Sequence, residues 1–206
     1  MGASNLAAKR AAKANRRKAI VAQKRKAEAA EGSMAGQVIR SAALPIRDCL
    51  VANNLFDVGM GTLILARGTA VGPVLVAAFL LDTFCRGVKD VTLRSMTADQ
   101  LESYIDMIDD VTPLVSVEPS HARKLLRDLV HWSGSLGFRP HRDFATAERL
   151  FGHVDPQAGE AAFEFGQGGK PLYMAGPTES HSEARRQVEQ LRQQLGPDGF
   201  HYIIPG

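Results

Sequence analysis

Gly59-Met-Gly-Thr-Leu-Ile-Leu-Ala-Arg67, a short turn, and then Pro73-Val-Leu-Val-Ala-Ala-Phe-Leu-Leu-Asp-Thr-Phe-Cys-Arg-Gly-Val-Lys-Asp90 form the stretch around which this chain is organised. Two apolar runs, Thr62–Ala66 and Val74–Leu81, are separated by Arg67–Pro73, which holds two glycines and ends in proline. Short apolar runs bounded by such punctuation read as neighbouring buried strands. The second run stops at Asp82, and Asp82, Cys85, Arg86, Lys89 and Asp90 then fall within nine residues. That density of reactive and charged groups at a strand end makes it the first place to look for a site in the globular body.

Outward from this stretch, Ser41–Asn54 is expected to include a strand, with Pro45 at its start and Ile46, Cys49, Leu50 and Val51 as its apolar content. Asn53 and Asn54 supply a turn before Gly59. Together these strands make an antiparallel meander, to which Lys89–Arg94 adds a short strand. Helical signals follow. Thr97 and Gln100 have capping-box spacing, and Leu101, Tyr104, Ile105 and Ile108 recur at helical intervals. Beyond a Pro-containing loop, Val111–Glu118, a helix is expected near Pro119–Ser133, with Ala122, Leu125, Leu126, Leu129 and Val130 as its apolar stripe. A shorter helix covers Asp143–Phe151. Phe163–Phe165 and Leu172–Met174 flank a Gly-rich turn and read as a β-hairpin. Ser180 and Glu183 form a second capping box before a helix that stops at Gly196-Pro197, and Phe200–Ile204 reads as a final strand returning to the sheet. Strands first and helices afterwards imply α+β rather than alternating βαβ. The expected body is an antiparallel sheet with helices packed on one face.

The chain has 206 residues, 45% hydrophobic and 23% charged, within the range of one globular domain plus an extension. Its net charge of +3 conceals a segregation. Residues 1–32 hold nine Lys/Arg and two Glu, leaving 16 basic and 20 acidic side chains for residues 33–206. The basic positions are Lys9, Arg10, Lys13, Arg16, Arg17, Lys18, Lys24, Arg25 and Lys26. They surround any helix axis drawn through them, and Leu6, Ile20 and Val21 make no continuous stripe. A helix polar on every side has no core face. Residues 1–33 therefore read as an arm with its hinge at Gly32-Ser33, and 34–206 as a single α+β domain.

Lysine and arginine at this density suit a phosphate backbone, so the expected partner is RNA or the ribosome, with a further protein partner allowed for. Alternative readings of the arm are a targeting peptide, a membrane anchor or a solvated tail. It lacks the amphipathic, Ser-rich character of a transit peptide and the apolar face of a membrane helix. In composition the arm is similar to the Ala/Lys-rich extensions of ribosomal and other nucleic-acid-binding proteins. No apolar run approaches the ~18 residues of a membrane span. Two cysteines, Cys49 and Cys85, in a chain this long favour free thiols in a reducing compartment. The expected location is the cytoplasm.

Asp82, Cys85, Lys89 and Asp90 are the candidate catalytic residues of an alternative, enzymatic reading: a hydrolase or nuclease acting on a phosphate-containing substrate. There Cys85 is the nucleophile, or Asp82 and Asp90 hold a divalent cation while Lys89 steadies an anion. The plain reading is a small buried thiol, a turn at Gly87 and an exposed Lys89–Asp90 pair. A third reading is a protein-binding adaptor that presents the acidic helix Thr97–Asp110. The six histidines lack zinc-site spacing, and no cofactor or resident metal is expected. His141 and His153 with Asp143 and Asp155, or His201 as a general base, are the histidine alternatives. Gly166–Lys170 lacks the Ser/Thr and helix of a phosphate loop, and a hairpin turn explains it better. Gly59-Met-Gly61 precedes a strand rather than a helix, so it reads as a bend and not a dinucleotide fingerprint.

Asp57-Val-Gly-Met-Gly61, Phe79–Asp90 and His201-Tyr202-Ile203 resemble a group of bacterial and plant hypothetical proteins. The resemblance spans most of residues 45–204. It implies a shared fold and carries no catalytic assignment.

Overall fold

The computed structural model describes residues 32–204. The nine basic positions from Lys9 to Lys26 lie outside the described residues. The described chain begins with helix α1 (Met34–Ser41), whose N-cap Ser33 accepts a hydrogen bond from the Gly36 amide at 3.1 Å. Then come β1 (Ile46–Ala52), a single turn α2 (Leu55–Val58), β2 (Met60–Arg67), β3 (Val74–Asp82) and β4 (Gly87–Met96). Helix α3 (Ala98–Asp109), β5 (Leu114–Ser116), helix α4 (Pro119–Ser135) and the short helix α5 (Phe144–Glu148) follow. Strand β6 (Leu172–Met174), helix α6 (His181–Leu195) and β7 (His201–Ile203) complete it.

The fold is α+β. Five antiparallel strands in the order β4-β3-β2-β1-β5 make the main sheet. Its centre is the pair read from the two apolar runs, in unbroken register from Met60 opposite Asp82 to Arg67 opposite Leu75. Because side chains alternate across a strand, each run supplies two buried faces. Leu63, Leu65, Leu75, Ala77, Phe79 and Leu81 pack with Ala122, Leu125, Leu126 and Leu129 of α4. Ile64, Ala66, Val74, Val76 and Ala78 pack with Leu101 of α3 and, at its margin, Tyr104, Ile105 and Ile108. The main helical layer lies on the first face, and α3 covers much of the second. Burial on both faces is why β2 and β3 read as continuous apolar runs. Each fully buried leucine here stabilises the fold by about 1.5–3 kcal/mol relative to exposure.

Both capping boxes form. Thr97 Oγ1 accepts from Gln100 N at 3.3 Å and Gln100 Oε1 from Thr97 N at 2.9 Å, and Ser180 and Glu183 repeat the exchange at α6. Strand β4 is longer than the Lys89–Arg94 segment expected for it, and it carries a bulge opposite Leu80–Leu81. The loop expected at Val111–Glu118 contains β5, which pairs with Leu50–Ala52.

Two expectations need correction. Phe163–Phe165 does not pair with Leu172–Met174; only the turn between them closes, through a bridge from Gln167 to Lys170. The terminal strand does not return to the main sheet. Instead β6 and β7 pair in parallel, Leu172 with His201 and Met174 with Ile203, on either side of α6. The physical reason is a separate apolar cluster. Tyr173, Ala184, Val188, Leu191 and Phe200 gather with Cys85, Leu136 and Phe138, away from both faces of the main sheet.

Candidate functional site

The β3–β4 turn, Asp82–Gly87, sits where the main sheet meets this C-terminal unit. Thr83 N donates to Gly59 O at 2.9 Å and Thr83 Oγ1 to Leu55 O at 3.2 Å. The turn in turn accepts: Thr83 O from Gly166 N and Phe84 O from Leu172 N, both at 2.9 Å. Two glycines permit the close packing. Gly59 has φ 75°, and a Cβ there would lie 2.2 Å from the Phe84 ring; Gly87 has φ 76°, and its Cβ would meet Ser133 Oγ at 2.2 Å.

Asp82 is 1% exposed, and its Oδ1 accepts from Phe84 N at 3.1 Å and Cys85 N at 2.8 Å. Burial pushes its pKa up, against the opposing pull of Lys89 and of the backbone amides. This is a carboxyl that ties down its own turn. Cys85 is fully buried in the C-terminal cluster. Burial first, then the Asp82 carboxylate, push its thiol far up, outweighing Arg86 and Lys89. Its burial keeps the thiol out of water, whereas a reactive cysteine sits in a partly exposed, electropositive setting. Cys49 is likewise buried, its thiol pushed up to about 12 by burial, Glu118 and Asp48.

Lys89 and Asp90 lie at the surface of β4, half-buried and exposed respectively. Asp90 Oδ1 accepts from Val91 N at 2.8 Å and stands 3.6 Å from His141 Nε2, which ties the edge of β4 to the segment before α5. His141 also approaches Asp143, at 3.9 Å, so of the His141–His153 grouping only this part assembles. Asp82, Cys85 and Lys89 are thus brought together electrostatically, while Asp90 faces other partners. Among the described residues no three His, Cys, Asp or Glu side chains are grouped to hold a metal ion.

Sequence reasoning missed three features. The first is an open cleft of about 480 Å³ beside the turn, with Leu80 in its wall and Arg86, Lys89 and Arg186 around it. Arg86 Nη1 pairs with Glu179 Oε2 at 3.3 Å, and the same carboxylate oxygen accepts from Gly176 N at 3.2 Å. Lys89 and Arg186 make no ion pair within 4.0 Å among the described residues. Tyr173 is fully buried nearby, its hydroxyl without a geometrically sound hydrogen bond. Burial and the adjacent Glu179 carboxylate push its pKa up. No spacing rule links Lys89 to Arg186, because the fold alone joins them.

The second is an aromatic group. Phe56 and Phe163 stack with centroids 5.9 Å apart, Phe165 joins both, Trp132 lies 5.3 Å from Phe165, and His121 meets Phe163 edge-on at 5.0 Å. These rings fasten the segment before the Gly-rich turn onto α4; Phe-Glu-Phe at 163–165 was its one sequence signal. The third is Arg67, 7% exposed at the end of β2. It donates to Leu44 O and, at 2.8 Å, to Phe151 O, holding the chain after α1 against the turn after α5.

None of the described helices is long and apolar enough to cross a membrane. Compared with protein-family models, with curated proteins and with solved structures, the chain matches none.

Proposed function

We propose that this protein binds RNA in the cytoplasm, with the ribosome as the first particle to test, through the basic arm at residues 1–33. The observation that supports the reading is the segregation of charge. Nine Lys/Arg against two Glu stand in the first 32 residues, and 16 against 20 in the remainder. A phosphate backbone attracts the first segment and is repelled on average by the second, so the arm supplies affinity and the body placement. Release of counterions makes such binding steeply salt-dependent: about six phosphate contacts give a slope of log affinity against log salt of roughly −4 to −5.

The test is co-sedimentation with ribosomes and with total RNA at low and high salt, comparing the full chain with one starting at Ser33. Salt-sensitive pelleting that needs the arm is the expected result. Equal pelleting by both chains, or pelleting by neither, overturns the reading.

A second reading, a protein-binding adaptor, draws on α3 and the segment after it. Asp99, Glu102, Asp106, Asp109 and Asp110 are exposed there beside Met107, Val111 and Val115, which are 58%, 83% and 43% exposed. That reading expects association that survives high salt and does not need the arm. The enzymatic reading keeps Lys89 and Asp90 at the surface but has Asp82 and Cys85 buried.

A further inference from the structure

We propose that the cleft between the β3–β4 turn and the start of α6 binds a phosphate group. The inference stands on the body alone and does not rest on the arm.

Three cations from distant parts of the chain converge on this cleft: Arg86 in the turn, Lys89 on β4 and Arg186 in the second turn of α6. Thr178 and Gln187 add side-chain hydrogen-bonding groups, and Leu80, 36% exposed, contributes an apolar surface. The two carboxylates in the wall are already engaged. Glu179 accepts from Arg86 and from the Gly176 amide, and Glu183 accepts from the Ser180 amide and hydroxyl. The Ser180 hydrogen bonds hold the Glu183 carboxyl below the usual range, with a smaller pull from Arg186, which lies beyond ion-pair distance. Lys89 interacts electrostatically with Asp82, which is buried beneath the turn. Two cations therefore face one cleft with no ion-pair partner among the described residues, on a body whose net charge is negative. Like charges converging on one concavity repel, and a bound oxyanion removes that repulsion while accepting several charge-assisted hydrogen bonds. Arginine with lysine around a polar cleft is a pairing suited to phosphate, Arg supplying a planar fork and Lys a point charge.

The phosphate has two sources in chemistry: a free phosphorylated compound, or the backbone of a single-stranded RNA. Calorimetric titration of the full chain with inorganic pyrophosphate tests the site, and amide shifts of Lys89, Thr178 and Gln187 locate it. We expect saturable binding that weakens roughly tenfold or more in Lys89→Gln/Arg186→Gln, as loss of two charge-assisted contacts requires. Gln187→Glu, which leaves both cations in place and adds a carboxylate, weakens it as well. The arm variant Arg16→Gln/Arg17→Gln/Lys18→Gln leaves it unchanged. Lys89 is only half-buried and Arg186 exposed, so the double variant should melt like the parent chain. Displacement of pyrophosphate by a short oligouridine assigns the site to RNA, and failure to displace assigns it to a free phosphorylated compound. Absence of saturable binding, affinity indifferent to the cleft variants, or affinity lost in the arm variant overturns the proposal.

Discussion

Asp82 offers the sharpest test of whether the β3–β4 turn is a structural joint. In Asp82→Ala the amides of Phe84 and Cys85, residues 5% and 0% exposed, lose their shared acceptor. An unsatisfied buried N–H costs about 1–3 kcal/mol, so the two together destabilise by at least about 2 kcal/mol. For a chain of this size that lowers Tm by about 4–8 °C. Asp82→Asn keeps an accepting Oδ1 and loses the ionisation. The carboxyl is buried and its pKa is raised above the ordinary 3.8, so the folded state holds the proton more tightly than the unfolded state does. Its contribution to stability is therefore fully present below pH 3.8 and is lost as pH rises through the folded value. Urea unfolding of parent, Ala and Asn variants across a pH series reads this directly. The Asn variant should gain on the parent as pH rises, whereas Ala should be the least stable throughout. If the Asn variant instead loses ground as pH rises, the amides and Lys89 outweigh burial, and the carboxylate is the favoured form.

Other outcomes follow from the same geometry. Gly59→Ala combines a φ of 75° with a Cβ 2.2 Å from Phe84; strain and overpacking should cost about 2–4 kcal/mol by urea unfolding. Burial acts to raise the Glu148 pKa, but hydrogen bonds from Arg123 and Arg127 at 2.8 and 2.9 Å outweigh it and hold it below 4.5. Glu148→Gln should thus cost about 1–2 kcal/mol at neutral pH, with the difference vanishing as acid protonates the parent. Neither Cys49 nor Cys85 should react with an aromatic disulfide reagent in the native protein, and both should react in denaturant; a fast native thiol would restore the nucleophile reading. Tyr173→Phe removes a buried hydroxyl without a sound partner and should be neutral or stabilising by up to about 1 kcal/mol in a thermal melt.

Much of the fold was legible because its signals are local. The runs Thr62–Ala66 and Val74–Leu81 gave the central strands, and Thr97 with Gln100 and Ser180 with Glu183 gave two helix starts through side chains three residues apart. What escaped depends on distance in sequence. Leu114–Ser116 is too short to carry a period, and β1 alone makes it a strand. Leu172–Met174 has the composition of a hairpin arm, yet its partner is His201–Ile203 because α6 buries Ala184, Val188 and Leu191 against Cys85 and Phe138. Helix α1 hides in a segment dominated by the change from basic to mixed composition. The candidate site shows the same division. Asp82 and Cys85 look reactive in a linear reading, yet both are buried, Cys85 in the cluster with Tyr173, Leu191 and Phe200. Lys89 was singled out, but Arg186 lies 97 residues further on and only the tertiary structure brings it near.

The parallel pairing of β6 with β7 has a consequence for how the chain is made. The five-stranded sheet is complete once Ser116 has been synthesised, but Leu172–Met174 must wait for His201–Ile203, a helix later, to find its strand partner. Early in that interval the nascent protein holds a finished meander, while Cys85 and Phe138 lack the cover that Ala184, Val188, Leu191 and Phe200 give them. Domains fold as units from the N-terminal side during synthesis, and transiently exposed apolar surface is where aggregation starts. The interval between Met174 and His201 is therefore the vulnerable one for this unit, and a stop codon placed just before Phe200 should yield a protein that forms its main sheet yet binds holdase chaperones.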